Sequence, residues 1–343
     1  MPTAAVLQPH RRFLVSVLVW SGISGCVHAH VRSGNVDAPA NRTTVLVALQ
    51  RAQLDSAIAV ALELASPLAA RRAGFHRIAP PSVPDLSPLM GEHWINERNL
   101  GGESLDLTRP AYLMFYPLGN TPEQTLVGTA YGTVQLPEAQ LPAGFAGNDD
   151  EWHIHLPCTG VPGVSTLLAE GVEDCRALGG EPGTNRIAMV HVWINIPNPD
   201  GPFAHDNPAL PYVAVGLTPP TADDMADLER AQWLRALGLA LSETYGAVPR
   251  LSSRLELHPD STFARTAAPL REQIRRLLPR MRLADRNGDA AEFERLGDRA
   301  IAEWQHIREA YLDAALARSR ELRSLFQRWF EAALDPMHGS KMD

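Results

Sequence analysis

The sequence predicts an α+β protein: a strand-rich antiparallel central domain with an N-terminal helix and a C-terminal helical hairpin or bundle. Three observations carry this. Apolar residues recur at three- and four-residue steps over 43–72, short β-prone runs broken by Pro, Gly and Asn fill 89–217, and helical spacing returns beyond Pro219-Pro220. The divisions expected are a signal segment (1–25), a tether (26–42), an N-terminal helical region (43–78), a histidine-bearing strand-rich domain (79–219) and a helical region (220–343).

At the N-terminus, Arg11 and Arg12 precede an apolar run from Phe13 to Val19, the pattern of a secretory signal. It closes on Ile23-Ser24-Gly25-Cys26, which resembles the bacterial lipobox. That resemblance implies a lipid on Cys26, a membrane anchor and a place in the cell envelope facing the periplasm or exterior. A competing cut after Val27-His28-Ala29 would leave His30 first, whose free amine and imidazole form a chelate of the histidine-brace type. With Cys26 lipidated, Cys158 and Cys175 remain. A pair 17 positions apart in an exported chain reads as one disulfide, contributing about 3 kcal/mol by loop closure.

In the first helix, Leu46, Leu49, Leu54, Ile58, Ala61, Leu62 and Ala65 mark the apolar face, and Pro67 kinks or stops it. A proline-rich linker, Ala79-Pro80-Pro81-Ser82-Val83-Pro84, follows. Strands are expected over 111–116, 125–134 and, most clearly, 187–196. There alternation sends Ala188, Val190, Val192, Ile194 and Ile196 to one face, and Ile187, Met189, His191, Trp193 and Asn195 to the other. Beyond them, Thr221 with Asp223 and Asp224 reads as a helix cap. One helix is expected from about Pro269 to Leu283, with Pro279 weakening its end. A single long helix is expected over 290–334, striped from Phe293 through Trp304, Tyr311 and Phe326 to Leu334. Asp285-Arg286-Asn287-Gly288-Asp289 lacks calcium-loop spacing and reads as a turn between helices.

Composition removes several function classes. Lys341 is the sole lysine, so neither a phosphate-binding loop lysine nor a buried Schiff-base amine can be built. The net charge of −8 divides into −9 over 26–219 and −1 over 220–343, with +2 in the signal segment. Such a field favours cations and disfavours nucleic acid. Gly-x-Ser-x-Gly and His-Glu-x-x-His are both absent.

Histidine carries the remaining chemistry. Five of twelve lie in the strand-rich region: His93, His153, His155, His191 and His205. In Trp152-His153-Ile154-His155 the two imidazoles point the same way from one strand and can converge on an ion; imidazole suits Zn or Cu. The expected ligand set is His153 and His155, completed by His191 and His93. Glu92, Glu151 and Asp206 read as ligands, as partners that orient an imidazole or as surface charges, and His205, in turn-rich sequence, reads as such a partner or equally as a loop cap.

The paired histidines, with a Pro-x-Gly stretch and a later histidine, loosely resemble the cupin pattern but lack its glutamate. A second resemblance is to a group of uncharacterised exported bacterial proteins. It rests on Gly91-Glu92-His93-Trp94-Ile95-Asn96, Phe115-Tyr116-Pro117, and His191-Val192-Trp193 running to Asn198-Pro199-Asp200-Gly201-Pro202-Phe203. It covers about 88–210, implies that His93 and His191 belong to one design, and brings no activity. The functional expectation is an exported lipoprotein that binds Zn or Cu through these histidines. The alternatives are a metal-dependent enzyme with Glu92 or Glu151 as general base, and an interaction protein with structural histidines. In the last, the C-terminal helices would bind a partner or a second copy.

Overall fold

In a computed structural model, the residues described are 39–78, 86–101, 105–118, 124–136, 139–147, 149–161, 167–169, 171–245 and 261–336. The expected signal segment, Cys26 and His30 lie outside them. Helix α1 (Pro39–Glu63) starts four residues before the predicted apolar spacing, and its last turns bury Ala57 and Ala61. Its stretch Val45–Glu63 is long and apolar enough to cross a membrane by length and composition. Pro67 marks a break: α1 ends at Glu63, Ser66 accepts from the Ala69 N–H, and Pro67 opens α2 (Pro67–Arg72). A proline there loses nothing, because the first N–H groups of a helix have no intrahelical partner.

The strands are β1 (His76–Arg77), β2 (Leu86–Ser87), β3 (Gly91–Ile95), β4 (Tyr112–Pro117), β5 (Gln124–Gln135), β6 (Trp152–Thr159), β7 (Leu167–Ala169), β8 (Glu181–Pro182) and β9 (Arg186–Trp193). They form one antiparallel sheet ordered β1-β3-β4-β5-β9-β6-β7, with β2 added to β3 and β8 to β6. β1 lies inside the region expected to be helical. Short helices α3 (Val172–Ala177) and α4 (Leu210–Ala214) interrupt the strand-rich domain.

Register decides what each face carries. His153 of β6 stands opposite Met189 of β9, His191 opposite Ala130 of β5, and His93 of β3 opposite Met114 of β4. By alternation one face carries Trp94, Leu113, Phe115, Val190 and Val192, which pack with Ala57, Ala61, Ala70 and Phe75 beneath α1 and α2. The other face carries His93, Met114, His153, His155, Met189, His191 and Trp193. β9 is shorter than predicted. It ends at Trp193, because Asn195 adopts a left-handed φ of 62° and its side chain donates to the Leu126 carbonyl.

The helical region is α5 (Ala222–Ala226), α6 (Leu228–Thr244), α7 (Thr262–Asn287), α8 (Ala290–Leu316) and α9 (Arg320–Leu334). Thr221 and Asp224 close the expected cap reciprocally. Two expectations are corrected. α7 begins seven residues before Pro269 and contains both Pro269 and Pro279. Each interior proline removes a hydrogen bond, about 3 kcal/mol, but the face bearing Ala267, Ile274, Leu277, Leu278 and Met281 is buried and offsets this. The single helix over 290–334 is two, because Ser319 caps α9 by accepting from the Leu322 N–H. Between α7 and α8, Gly288 ends one helix at φ 66° and Asp289 caps the next, the turn foreseen there. Cys158 of β6 and Cys175 of α3 form a disulfide, within the same apolar core as Leu237, Phe263, Trp304 and Tyr311.

Candidate metal centre

The histidine face of the sheet is buried. His153 and His155 share β6 with ring centroids 4.9 Å apart, and β9 brings the His191 ring to 4.6 Å from His153. The loop after β9 adds His205, its ring 4.5 Å from that of His153.

Side-chain-to-backbone bonds hold this loop. Asn198 accepts from the Asp200 N–H and donates to the Asp206 carbonyl, while Asn207 donates to the Ile196 carbonyl. The Trp193 indole donates to the Ala204 carbonyl at 2.6 Å, and Phe203 is fully buried. The Asn-Pro-x-Gly-x-Phe segment is thus the device that seats His205.

His153, His155 and His205 each offer a ligand nitrogen, and these atoms lie within 4.8 Å of one another. Nitrogens around a tetrahedral ion stand about 3.4 Å apart at bond lengths near 2.05 Å, so small rotamer changes would close the set. The buried triad could hold a metal ion. His191 stands beside it, and His93 lies further off, its ring 6.2 Å from that of His191.

Electrostatics favour ligand chemistry. Burial holds the His153 pKa well below the usual imidazole range, reinforced by His205, His191 and His155. Burial, then His205, pushes His191 down to about 3. Both are therefore neutral at pH 7, the form a metal requires. Neither ring nitrogen of His153 has a hydrogen bond of good geometry, and a weak contact with the Glu151 backbone only slightly opposes the effect of burial. His191 Nδ1 lies 2.8 Å from the His205 carbonyl. A carbonyl only accepts, so Nδ1 carries the proton and Nε2 keeps a lone pair, buried and without a hydrogen-bond partner.

Acidic groups stand behind the ring of His205. Asp206 approaches His205 Nδ1 at 3.4 Å, and Arg235 of α6, 2% exposed, pairs with Asp200 and lies 3.7 Å from Asp206. Glu151 is raised by burial, against the lowering effect of its hydrogen bond to the His205 backbone. Glu92 belongs to the opposite face, bonded to the Trp94 indole and to Arg77 at 2.6 Å. Sequence reasoning missed Arg235; its signal was a lone arginine inside the apolar stretch 234–241.

A cavity of about 330 Å³ separates the histidine face from α6 and α9. His155 and His205 line it and His153 does not, so an ion held by the three would lie at the edge of the cavity. Compared with known protein families, curated proteins and solved structures, the chain matches none.

Proposed function

We propose that the protein is an envelope lipoprotein, anchored through Cys26, that binds one transition-metal ion, Zn²⁺ or Cu²⁺, through His153, His155 and His205. The observation that carries this reading is the convergence of three buried imidazoles, with both ring nitrogens of His153 short of partners. A buried polar atom without a partner costs about 1–3 kcal/mol, a cost that an ion would turn into bonding. Asp206, 3.4 Å from His205 Nδ1 and beside Arg235, is a carboxylate near enough to bias the orientation of a ligating imidazole. The lipobox supports the anchor, and the Cys158–Cys175 disulfide supports an oxidising compartment.

A second reading is a metal-dependent enzyme, favoured by the place of the triad at the edge of the cavity. Three protein ligands with one open position are the pattern of catalytic zinc. Metal analysis of protein purified without a histidine tag tests the common core of both. About one Zn or Cu per chain is expected, and loss of it in the His153→Ala/His155→Ala variant. Retained stoichiometry in that folded variant would reject the site.

A further inference from the structure

We propose that the cavity in front of the histidines binds a small phenol, its ring against α9 and its single hydroxyl at the metal. This rests on the metal-site reading. The volume of about 330 Å³ lies within the range of small-molecule sites. The two walls differ in chemistry. The helices contribute only apolar side chains, Leu239, Phe326, Trp329 and Phe330 among them, whereas the sheet and its loop add His155, His191, His205 and Asp206 beside the apolar Leu168 and Met189.

Phe326, Trp329 and Phe330 stand three and four positions apart, on one face of α9. Three aromatic rings on one wall, with aliphatic side chains beside them, match a flat apolar ring better than a charged or sugar-like molecule. The polar end of the ligand follows from the tautomer of His191. Its Nδ1–H is committed to the His205 carbonyl, so Nε2 can only accept. A lone pair there attracts an O–H and repels a carboxylate oxygen. An open metal position takes an oxygen donor. A hydroxyl meets both demands: with a small turn of the His191 ring toward the cavity, the O–H donates a hydrogen bond to Nε2 while an oxygen lone pair binds the ion.

The test is calorimetric titration of phenol and of toluene, which replaces the hydroxyl by a methyl, into the zinc-loaded protein. Phenol should bind about tenfold or more tightly than toluene, and chelation of the zinc should reduce that advantage to the part supplied by His191. Ala333→Leu narrows the cavity away from the histidines. It should weaken phenol by about tenfold while zinc stays near one per chain, and Ala332→Leu serves if the first variant does not fold. Wild-type protein that takes up no zinc overturns the metal reading and this inference with it. Protein that takes up one zinc overturns this inference alone if it binds phenol no better than toluene, or if phenol binding survives both leucine variants unchanged.

Discussion

Two buried polar clusters lie on either side of the boundary between sheet and helices, and they are built on opposite principles. In the bundle, Glu243 of α6 meets Arg271 of α7 at 2.5 Å, and the Tyr311 hydroxyl of α8 donates to the same carboxylate at 2.6 Å. Arg271 also donates to the Tyr311 oxygen at 3.2 Å, so opposite charges and a shared hydroxyl tie three helices together. On the sheet, imidazoles face imidazoles. His153 has near neighbours of its own kind on three sides, and those neighbours depress its protonation rather than satisfy it. The first cluster pairs its charges within the chain. The second could be completed by an ion held between His153, His155 and His205.

The contrast breaks most sharply when one member of each is removed. Glu243→Ala leaves Arg271 buried beside a vacated site and should lower unfolding free energy by about 3–5 kcal/mol, read by urea denaturation. Zinc uptake should stay at about one ion per folded chain, because the two clusters share no residue.

Acid should separate the clusters next. Folded His191 has a pKa lowered to about 3, against 6.5 for the ordinary group, so between these values the unfolded state binds more protons. Stability of the metal-free protein is therefore greatest above pH 6.5 and falls as pH drops through that window. His191 alone contributes a loss of about 2 kcal/mol between pH 6.5 and 5. Thermal unfolding of chelated protein across that range checks it; a flat profile would mean that His191 takes up a proton as readily folded as unfolded.

The smallest effect has the opposite sign from an ordinary core substitution. His153→Leu removes two ring nitrogens without good partners, so the metal-free protein should gain about 1 kcal/mol while losing metal uptake. A loss of stability in the metal-free variant would make His153 a structural residue like Glu243.

How far this could be read without coordinates varied with the kind of signal. Alternation put His153 with His155, and His191 with Trp193, on the face they share, because strand geometry leaves no other arrangement. The helix cap at Thr221 and the turn at Gly288 were legible for the same local reason. His205 was not legible as a member of the triad. Its place depends on bonds from Asn198, Asn207 and Trp193 across the loop, which leave no periodic trace. The length of α7 was hidden by Pro269 and Pro279, whose local penalty is overridden by burial. The break before α9 hung on one serine within a continuous apolar stripe. Arg235 was not legible either, because its partners Asp200 and Asp206 lie about thirty residues away in sequence on the loop after β9.

The most direct test of the central claim is anomalous diffraction from crystals of the zinc-loaded protein. The account predicts one peak bonded at about 2.0–2.1 Å to a nitrogen each of His153, His155 and His205, with its fourth position toward the cavity. A peak elsewhere, or one ligated by His93 and His191 in place of this triad, would contradict it.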